Sequence, residues 1–315
     1  MGKATRQAYG EALAELVKEH EDIVVVDADL SGSTKTALAK KVDPSRHFNI
    51  GIAEANMIGV AAGLASSGYT VFASSFAMFA TGRPWEQIRN SLAYPNLKVK
   101  VCGTHSGIAV GEDGVSHQAT EDIAIMRAIP NMKIYCPCDE VETKAVIKHI
   151  YNEDGPCYVR LGRSEADDLY ANDEEFDFTK VKVLNKGKDV CIFATGLMVQ
   201  ESMYALKKLQ EEGINPTIVD VCSIKPLDEE GVKELLNSHE HIITVEEHNV
   251  IGGLGSAISD VSVKYCPRLI TKIGMQDEFG QSGPFKDLLK LYGLHHDNIV
   301  KTVKVAVKKP INKFW

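Results

Sequence analysis

The segment KVKVCGTHSGIAVGEDGVSHQATEDIAIMRAI, residues 98–129, contains the three local patterns from which the fold can be predicted. Its first seven residues are typical of a buried strand, a glycine-rich loop follows, and EDIAIMRAI has the periodicity of a helix. The same alternation of apolar runs and helical patterns continues on both sides of this segment. It predicts parallel βαβ units, with helices on both faces of each sheet.

The alternation is interrupted once. The stretch EADDLYANDEEFDFTK, residues 165–180, is acidic and poor in long apolar runs, which is typical of a linker. We therefore predict an α/β protein with two domains, each built on a mostly parallel sheet flanked by helices. The first domain is expected at residues 1–165, the linker at 166–181 and a smaller domain at 182–315, and a length of 315 residues suits this division.

The composition of the chain limits the kinds of partner that we expect it to bind and the compartment in which we expect to find it. A formal net charge of -8 argues against nucleic acid or an anionic membrane as the main partner. No apolar run approaches the ~20 residues of a membrane span, and the first twenty residues resemble an amphipathic helix rather than a signal peptide. Seven scattered cysteines, mostly in predicted strands, suggest buried, reduced thiols, so we expect a cytoplasmic protein.

The loop Thr104–Gln118 carries four ionisable side chains among its glycines: His105, Glu112, Asp113 and His117. A structural loop seldom needs two imidazoles and two carboxylates in fifteen positions. Their spacing matches no common metal-ligand pattern, so hydrogen bonding to a polar, oxygen-rich ligand explains them better than metal binding does.

A second candidate is Glu54, at the start of the Ala- and Gly-rich helix in NIGIAEANMIGVAAGLASSG. Small residues allow close packing, so its surroundings should be buried. A carboxyl group in a dry site tends to be protonated or to share a proton with a partner base. A simpler explanation is that glutamate favours the first turn of a helix, and the residues alone leave both interpretations open.

Both stretches resemble the pyrimidine-binding domain of transketolases, which are thiamine-diphosphate enzymes. That family has a Gly-Ile-(any)-Glu segment opening a small-residue helix and a Thr-His…Gly-Glu-Asp-Gly…His-Gln loop. Residues 74–89, SSFAMFATGRPWEQIR, resemble its aromatic segment, and residues 244–258, TVEEHNVIGGLGSAI, resemble its carboxy-terminal domain. The resemblance covers nearly the whole chain and implies a pyrimidine-binding domain followed by a transketolase C-terminal domain.

The resemblance implies roles around the aminopyrimidine ring of the cofactor. Glu54 has the place of the glutamate that hydrogen-bonds a ring nitrogen and favours the reactive tautomer. Phe76 and Phe79 match aromatic positions that pack against the ring, although ordinary core packing would also explain them. Asp29 matches an acidic residue near the thiazolium. His117 matches a histidine facing the reacting carbon, so the predicted catalytic residues are Glu54 and His117.

The implied substrates are sugar phosphates. The family's phosphate-binding positions are matched here by Arg6, Ser33, His105 and Arg163, which supply the donors that a phosphate dianion needs. Asp113 matches a carboxylate that binds a sugar hydroxyl. The implied reaction transfers a two-carbon ketol unit from a ketose phosphate to an aldose phosphate; the pentose phosphate pathway is the default setting, and the individual sugars stay open.

The chain departs from larger transketolases in two ways. They usually have Arg and His beside the glutamate, where this chain has Ala53 and Ala55, as split members of the family do. It also lacks the Gly-Asp-Gly and Asn-Asn elements with which the family's diphosphate domain holds the metal. The resemblance thus implies no metal ligand in this chain. It also implies a partner subunit that binds the diphosphate and Mg²⁺ or Ca²⁺, and an α2β2 heterotetramer inactive without that partner.

Three other identities compete with this interpretation. The beta subunit of a 2-oxoacid dehydrogenase decarboxylase has the same domain order but lacks the Gly-Glu-Asp-Gly…His-Gln loop and the sugar-phosphate residues. Deoxyxylulose-phosphate synthase carries its diphosphate domain on the same chain. A non-catalytic binding subunit of the same fold would not be expected to retain Glu54, His105, Asp113 and Arg163 together.

Overall fold

The computed structural model describes residues 2–308, which form two sheets and the helices that cover them. The strands are β1 (Ile23–Asp27), β2 (His47–Asn49), β3 (Thr70–Phe76), β4 (Val99–Thr104), β5 (Lys133–Tyr135), β6 (Cys157–Arg160), β7 (Lys182–Asn185), β8 (Cys191–Ala194), β9 (Thr217–Asp220), β10 (Ser223–Lys225), β11 (Ile242–Asn249) and β12 (Ile270–Met275). The helices are α1 (Thr5–Glu19), α2 (Ser31–Thr34), α3 (Ala37–Val42), α4 (Glu54–Ser66), α5 (Ala77–Thr81), α6 (Trp85–Gln87), α7 (Asp122–Arg127), α8 (Glu140–Asn152), α9 (Leu197–Glu211), α10 (Glu229–Ser238), α11 (Leu254–Tyr265), α12 (Phe285–Leu291) and α13 (His296–Lys308).

The two sheets confirm the predicted α/β class. The first has the order β10-β5-β6-β4-β3-β1-β2 and the second has the order β12-β11-β8-β9-β7. Pairing is parallel except at one edge of each sheet, where β10 runs antiparallel to β5 and β7 antiparallel to β9. Strands β1, β3, β4 and β6 are buried along their whole length, as strands covered by helices on both faces must be.

Strand β10 joins the two halves of the chain in a way that the sequence pattern did not predict. It lies well beyond the linker, yet it pairs with β5 of the first sheet. The backbone N–H of Cys136 donates to the carbonyl of Cys222 at 2.8 Å, which extends this connection. The first sheet is therefore completed by a strand from the second half of the chain.

The turn between β1 and α2 is held by an aspartate. A serine after an apolar run can cap a helix, but Ser31 is the first residue of α2, and Leu30 stands at the capping position. Asp27 holds the turn, because its Oδ1 accepts the Leu30 N–H at 2.6 Å and its Oδ2 accepts the Thr34 hydroxyl at 2.9 Å. At the start of α8, Asp139 does cap the helix, since its side chain accepts the Glu142 N–H.

A buried carboxyl cluster, formed by Glu142, Asp220, Cys138 and Tyr170, connects the two halves and the linker. Asp220 Oδ2 accepts the Tyr170 hydroxyl at 2.7 Å and the Cys138 thiol at 3.4 Å. Glu142 Oε2 accepts the Cys138 N–H at 2.8 Å. Burial penalises the charged forms, so it raises the pKa of Asp220 to about 6 and that of Glu142 well above its usual range. Both carboxyl groups therefore keep their protons to a higher pH than exposed carboxyl groups do.

Two predictions about the whole chain can be checked in the described residues. All seven cysteines are free and buried, as expected. Among residues 2–308, no helix combines the length and apolarity needed to cross a membrane.

Candidate active site

Most of the predicted site residues lie at the carboxyl-terminal edge of the first sheet. Strands β6, β4, β3 and β1 are neighbours in that order, and the backbone that follows their carboxyl ends carries all the candidates except Arg6, in α1, and Glu54, which follows β2. Phe76 ends β3, His105 follows β4, and Arg163 comes shortly after β6. This is the edge at which open parallel sheets bind their ligands.

Glu54 is the first residue of α4, and its side chain is only 3% exposed. Its two carboxylate oxygens accept hydrogen bonds from Nη1 of Arg83 at 3.1 and 3.0 Å. The guanidinium also lies over the ring of Phe79, 4.2 Å from its centroid. The expected burial is confirmed, and within residues 2–308 the group opposite the carboxylate is the guanidinium of Arg83.

Two phenylalanine and two histidine rings form an aromatic cluster beside Glu54. The rings of Phe76 and His105 stack with centroids 3.8 Å apart, and Phe79 meets His117 edge-on at 5.1 Å. Phe76 and Phe79 themselves are 6.1 Å apart. The structure thus brings both predicted phenylalanines together with both histidines of the loop.

Arg6 connects the start of the chain to the loop. Its Nη1 donates to the backbone carbonyl of Ser33 at 3.0 Å and meets Nε2 of His105 at 3.1 Å. A guanidinium can only donate, so Nε2 is the acceptor. The other ring nitrogen, Nδ1, then carries the proton and donates to the Thr104 hydroxyl at 2.8 Å.

Arg6, His105 and Arg163 form a group with net positive charge, which we call the positive corner. Burial and the guanidinium groups of Arg6 and Arg163 lower the pKa of His105 to about 3, so that its imidazole is neutral. Burial and the nearby Arg163 also lower the pKa of Arg6. The Nε of Arg6 is buried and has no hydrogen-bond partner within residues 2–308. Two close cations with an orphaned donor form a place that suits an anion.

Arg163 lies on the other side of the loop, where its Nη1 donates to the carbonyl of Val110 and contacts Glu112 at 3.3 Å. Ser33 contacts Arg6 through its backbone rather than its hydroxyl. Asp29 has a left-handed φ of 63° and is held by Asn49, whose Nδ2 donates to its carboxylate at 2.8 Å.

Two of the predicted residues are not tied to the rest. Asp29 and Asp113 are both exposed, and neither carboxylate hydrogen-bonds to another predicted site residue in the part of the chain described. Asp113 ends the 3₁₀ turn Ile108–Asp113, in the same loop as His105 and His117.

The second half of the chain holds the loop in place. Gly107 has φ 69°, and a Cβ there would collide with the carboxylate of Glu247. The same carboxylate accepts the Ala109 N–H at 2.6 Å. Farther along, Gln118 donates to the carbonyl of Gln281 at 3.0 Å. Loop geometry is therefore set jointly by both halves.

A buried ion pair lies directly behind the loop. Arg160 donates to Asp122 at 2.8 Å and to the carbonyls of Ala119 and Glu247 at 3.1 and 2.8 Å. Asp122 also accepts the Tyr158 hydroxyl at 2.6 Å. Burial raises the pKa of Glu247 to about 7, despite the neighbouring guanidinium.

Sequence reasoning missed four residues that shape the site, namely Arg83, Asp122, Arg160 and Glu247. One signal was available: the three ionisable residues Glu246–His248 directly follow the apolar run 242–245, and a charge buried with such a run needs a partner. Two potential metal-ligand clusters among residues 2–308 lie elsewhere, one formed by Cys138, Glu142 and Asp220, the other by Glu201, His295 and His296.

Comparison with known proteins identifies related domains over almost the whole chain. The family described as the transketolase pyrimidine-binding domain matches residues 1–167, and the family described as the transketolase C-terminal domain matches residues 179–299. Together these two matches account for both sheets.

Three proteins illustrate the similarity. A Methanocaldococcus jannaschii protein, provisionally described as the C-terminal section of a transketolase, is 51% identical over 98% of this chain and 97% of its own length. A 6-deoxy-6-sulfo-D-fructose transketolase subunit from a Clostridium species is 38% identical over 96% of this chain and 94% of its own length. A solved structure described as a split-gene transketolase, inactive β4 tetramer, is 46% identical with a TM-score of 0.88, covering 98% of this chain and 99% of that one.

Proposed function

Because this chain belongs to the transketolase family, whose members depend on thiamine diphosphate, we propose that it is the subunit that binds the aminopyrimidine end of that cofactor. With a second chain, it transfers a two-carbon ketol unit from a ketose phosphate to an aldose phosphate. Its own contribution is to hold the ring, orient the sugar and move protons at the reacting carbon.

The observation that carries this proposal is the burial of Glu54 next to an aromatic platform. A carboxylate that is 3% exposed and lies beside Phe79 fits a heteroaromatic ring that needs both a hydrogen-bond acceptor and a stacking surface. Glu54 would hold the proton at the ring nitrogen, while Phe76 and Phe79 pack against the ring. When bound, thiamine diphosphate supplies a nucleophilic thiazolium carbon and the electron sink for cleaving a carbon–carbon bond.

His117 is proposed as the proton-transfer group at the substrate. Its ring meets Phe79 at 5.1 Å, so it lies beside the proposed pyrimidine site. Its Nδ1 contacts the Ser116 hydroxyl at 3.0 Å, which leaves Nε2 to exchange a proton with a sugar hydroxyl. In this arrangement Asp113 binds a second hydroxyl and Asp29 lies toward the thiazolium end.

The positive corner would bind the anionic tail of the sugar. Arg6 and Arg163 provide charge-assisted donors, and the orphaned Nε of Arg6 provides one more. Neutral His105 accepts a hydrogen bond from Arg6 and donates one to Thr104. Both ring nitrogens are thus in use, so His105 would orient the Arg6 guanidinium rather than bind the anion itself. A sulfonate is the second candidate for this corner, because the Clostridium relative is described as acting on a sulfonated sugar.

A partner is proposed because an apolar face beside Glu54 is uncovered. Ala55, Gly59 and Gly63 follow one another at four-residue spacing on α4 and are exposed, and Ile52 just before the helix is 76% exposed. Nothing in the described chain lies within 4 Å of a Cβ built at either glycine. A diphosphate-domain subunit that holds Mg²⁺ or Ca²⁺ would pack there, giving an α2β2 assembly.

The proposal is tested by expressing the chain with the product of a neighbouring reading frame that encodes Gly-Asp-Gly…Asn-Asn. We expect ketol transfer from xylulose 5-phosphate to ribose 5-phosphate by the complex, and none by this chain alone. The Glu54→Gln complex should lose at least about 100-fold in kcat, the cost of about 3 kcal/mol for one preorganised contact.

The matched control is Glu211→Gln, which neutralises an exposed carboxylate on α9 of the second half. It should leave turnover and the circular dichroism spectrum unchanged. Full activity of the isolated chain, or near-normal turnover by Glu54→Gln, would contradict the proposed roles.

A further inference from the structure

Arg83 occupies the two surfaces that the proposed cofactor ring would need. Its Nη1 bonds both oxygens of Glu54, at 3.1 and 3.0 Å, so both oxygens of the carboxylate are already engaged by Arg83. Its guanidinium carbon lies 4.2 Å from the Phe79 centroid, which is contact distance for a stacked planar cation. The guanidinium therefore covers both the acceptor and the stacking surface.

An aromatic ring cannot enter while this contact persists. A ring placed between the guanidinium and Phe79 would need two stacking distances, about 7–8 Å from plane to plane, because non-bonded carbon atoms approach no closer than about 3.5–4.0 Å. The separation observed is 4.2 Å. A ring nitrogen that bonds Glu54 would also have to replace at least one of the two hydrogen bonds from Arg83.

The position of Arg83 allows its side chain to move away from Glu54. Its side chain is 51% exposed, whereas that of Glu54 is 3% exposed, so the guanidinium is on the solvent side of the pair. Within residues 2–308 its side chain has no anchor besides Glu54 and Phe79. A long side chain that is half in water can swing outward at small cost, and its charge stays solvated when it does.

We propose that Arg83 is a positioning residue that acts through Glu54: it pairs with the buried carboxylate before the cofactor ring arrives, and it leaves the pyrimidine position when the ring binds. This inference rests on the proposed function, since it takes the ring of thiamine diphosphate as the incoming group. Under this proposal Arg83 lowers the apparent affinity for the cofactor. In every molecule that has the contact between Arg83 and Glu54, that contact must break before the ring binds.

The test is the dissociation constant of thiamine diphosphate for the assembled complex with Mg²⁺, measured by calorimetry. Arg83→Ala removes the obstruction, and we expect binding to tighten about tenfold if the contact is closed in nine of ten molecules. Arg83→Lys keeps the charge but not the planar stacking, and should fall between the two. Arg89→Met, on an exposed arginine six residues farther along, is the control and should bind as the wild type does.

A chemical rescue separates a specific contact from a general effect of the mutation. Methylguanidinium at millimolar concentration should reoccupy the position beside Glu54 in Arg83→Ala and weaken cofactor binding toward the wild-type value. Sodium chloride at equal ionic strength should not. Wild type should respond to neither beyond the effect of salt.

Three outcomes would overturn the inference: weaker cofactor binding by Arg83→Ala, unchanged binding by Arg83→Ala, or no effect of methylguanidinium beyond that of salt. The first would place Arg83 in the loaded site instead. If the wild-type complex itself does not bind thiamine diphosphate, the proposed function fails, which is distinguishable from a failure confined to Arg83.

Discussion

Replacing Asp220 by asparagine should change how stability depends on pH, because burial in the carboxyl cluster favours the protonated form of this side chain. The pKa of Asp220 is raised from 3.8 to about 6. A carboxyl group whose folded-state pKa is raised stabilises the fold fully below its unfolded pKa. That contribution is lost as pH rises through the folded value, which gives a window from about pH 4 to pH 6.

The size of the effect follows from the shift. A shift of roughly 2 pKa units corresponds to about 3 kcal/mol, of which nearly half is lost above pH 5. Asparagine cannot ionise, and its oxygen can still accept from the Tyr170 hydroxyl and the Cys138 thiol, so it imitates the protonated acid. The variant should therefore gain at least about 1 kcal/mol relative to the wild type between pH 5 and pH 8.

The assay is urea unfolding at pH 5, 6, 7 and 8, followed by circular dichroism, with the free energies of variant and wild type compared at each pH. Glu234→Gln, at an exposed position on α10, removes the same charge without touching the cluster. It should show no such pH-dependent difference. A constant difference between Asp220→Asn and wild type across this range would refute the raised pKa of Asp220.

Two further predictions concern charges near the site. Arg163→Ala should raise KM at least about tenfold for phosphorylated sugars, the loss of one charge-assisted contact, and far less for unphosphorylated ones; equal increases would argue against an anion contact. Asp122→Asn should lower the free energy of unfolding by about 3–5 kcal/mol, because it leaves Arg160 buried without its counter-ion. Asp260→Asn, at a carboxylate that is 77% exposed, is the control in a thermal melt, and equal melting shifts for the two variants would contradict this account.

The elements with strong local signals could be predicted from the sequence. Buried strands such as β1 and β4 are apolar runs, and α4 is marked by its small residues and by the glutamate that begins it. Strand β10 could not be predicted, because it has three residues and its partner β5 is about ninety positions earlier. A strand this short is defined by the edge it completes rather than by its own residues.

The residues of the candidate site also differ in how well they could be predicted from the sequence. Clustered residues, such as the two histidines of the loop, could be noticed from spacing alone, whereas Arg6 became a candidate only through the family resemblance. Arg83 escaped notice because a half-exposed arginine has no distinctive sequence pattern. Its significance lies in a pairing with Glu54, twenty-nine positions away, and non-local pairings of this kind need coordinates.

The contribution of β10 to the first sheet also constrains how the protein is made. During synthesis, β5 emerges long before residues 223–225, so the growing chain presents an unpaired sheet edge while roughly ninety more residues are translated. Exposed edges of this kind invite pairing with other chains. A chain that ended at the linker would lack β10, so the edge of β5 would stay unpaired. Such a product would be an aggregation-prone fragment rather than an independently folding domain.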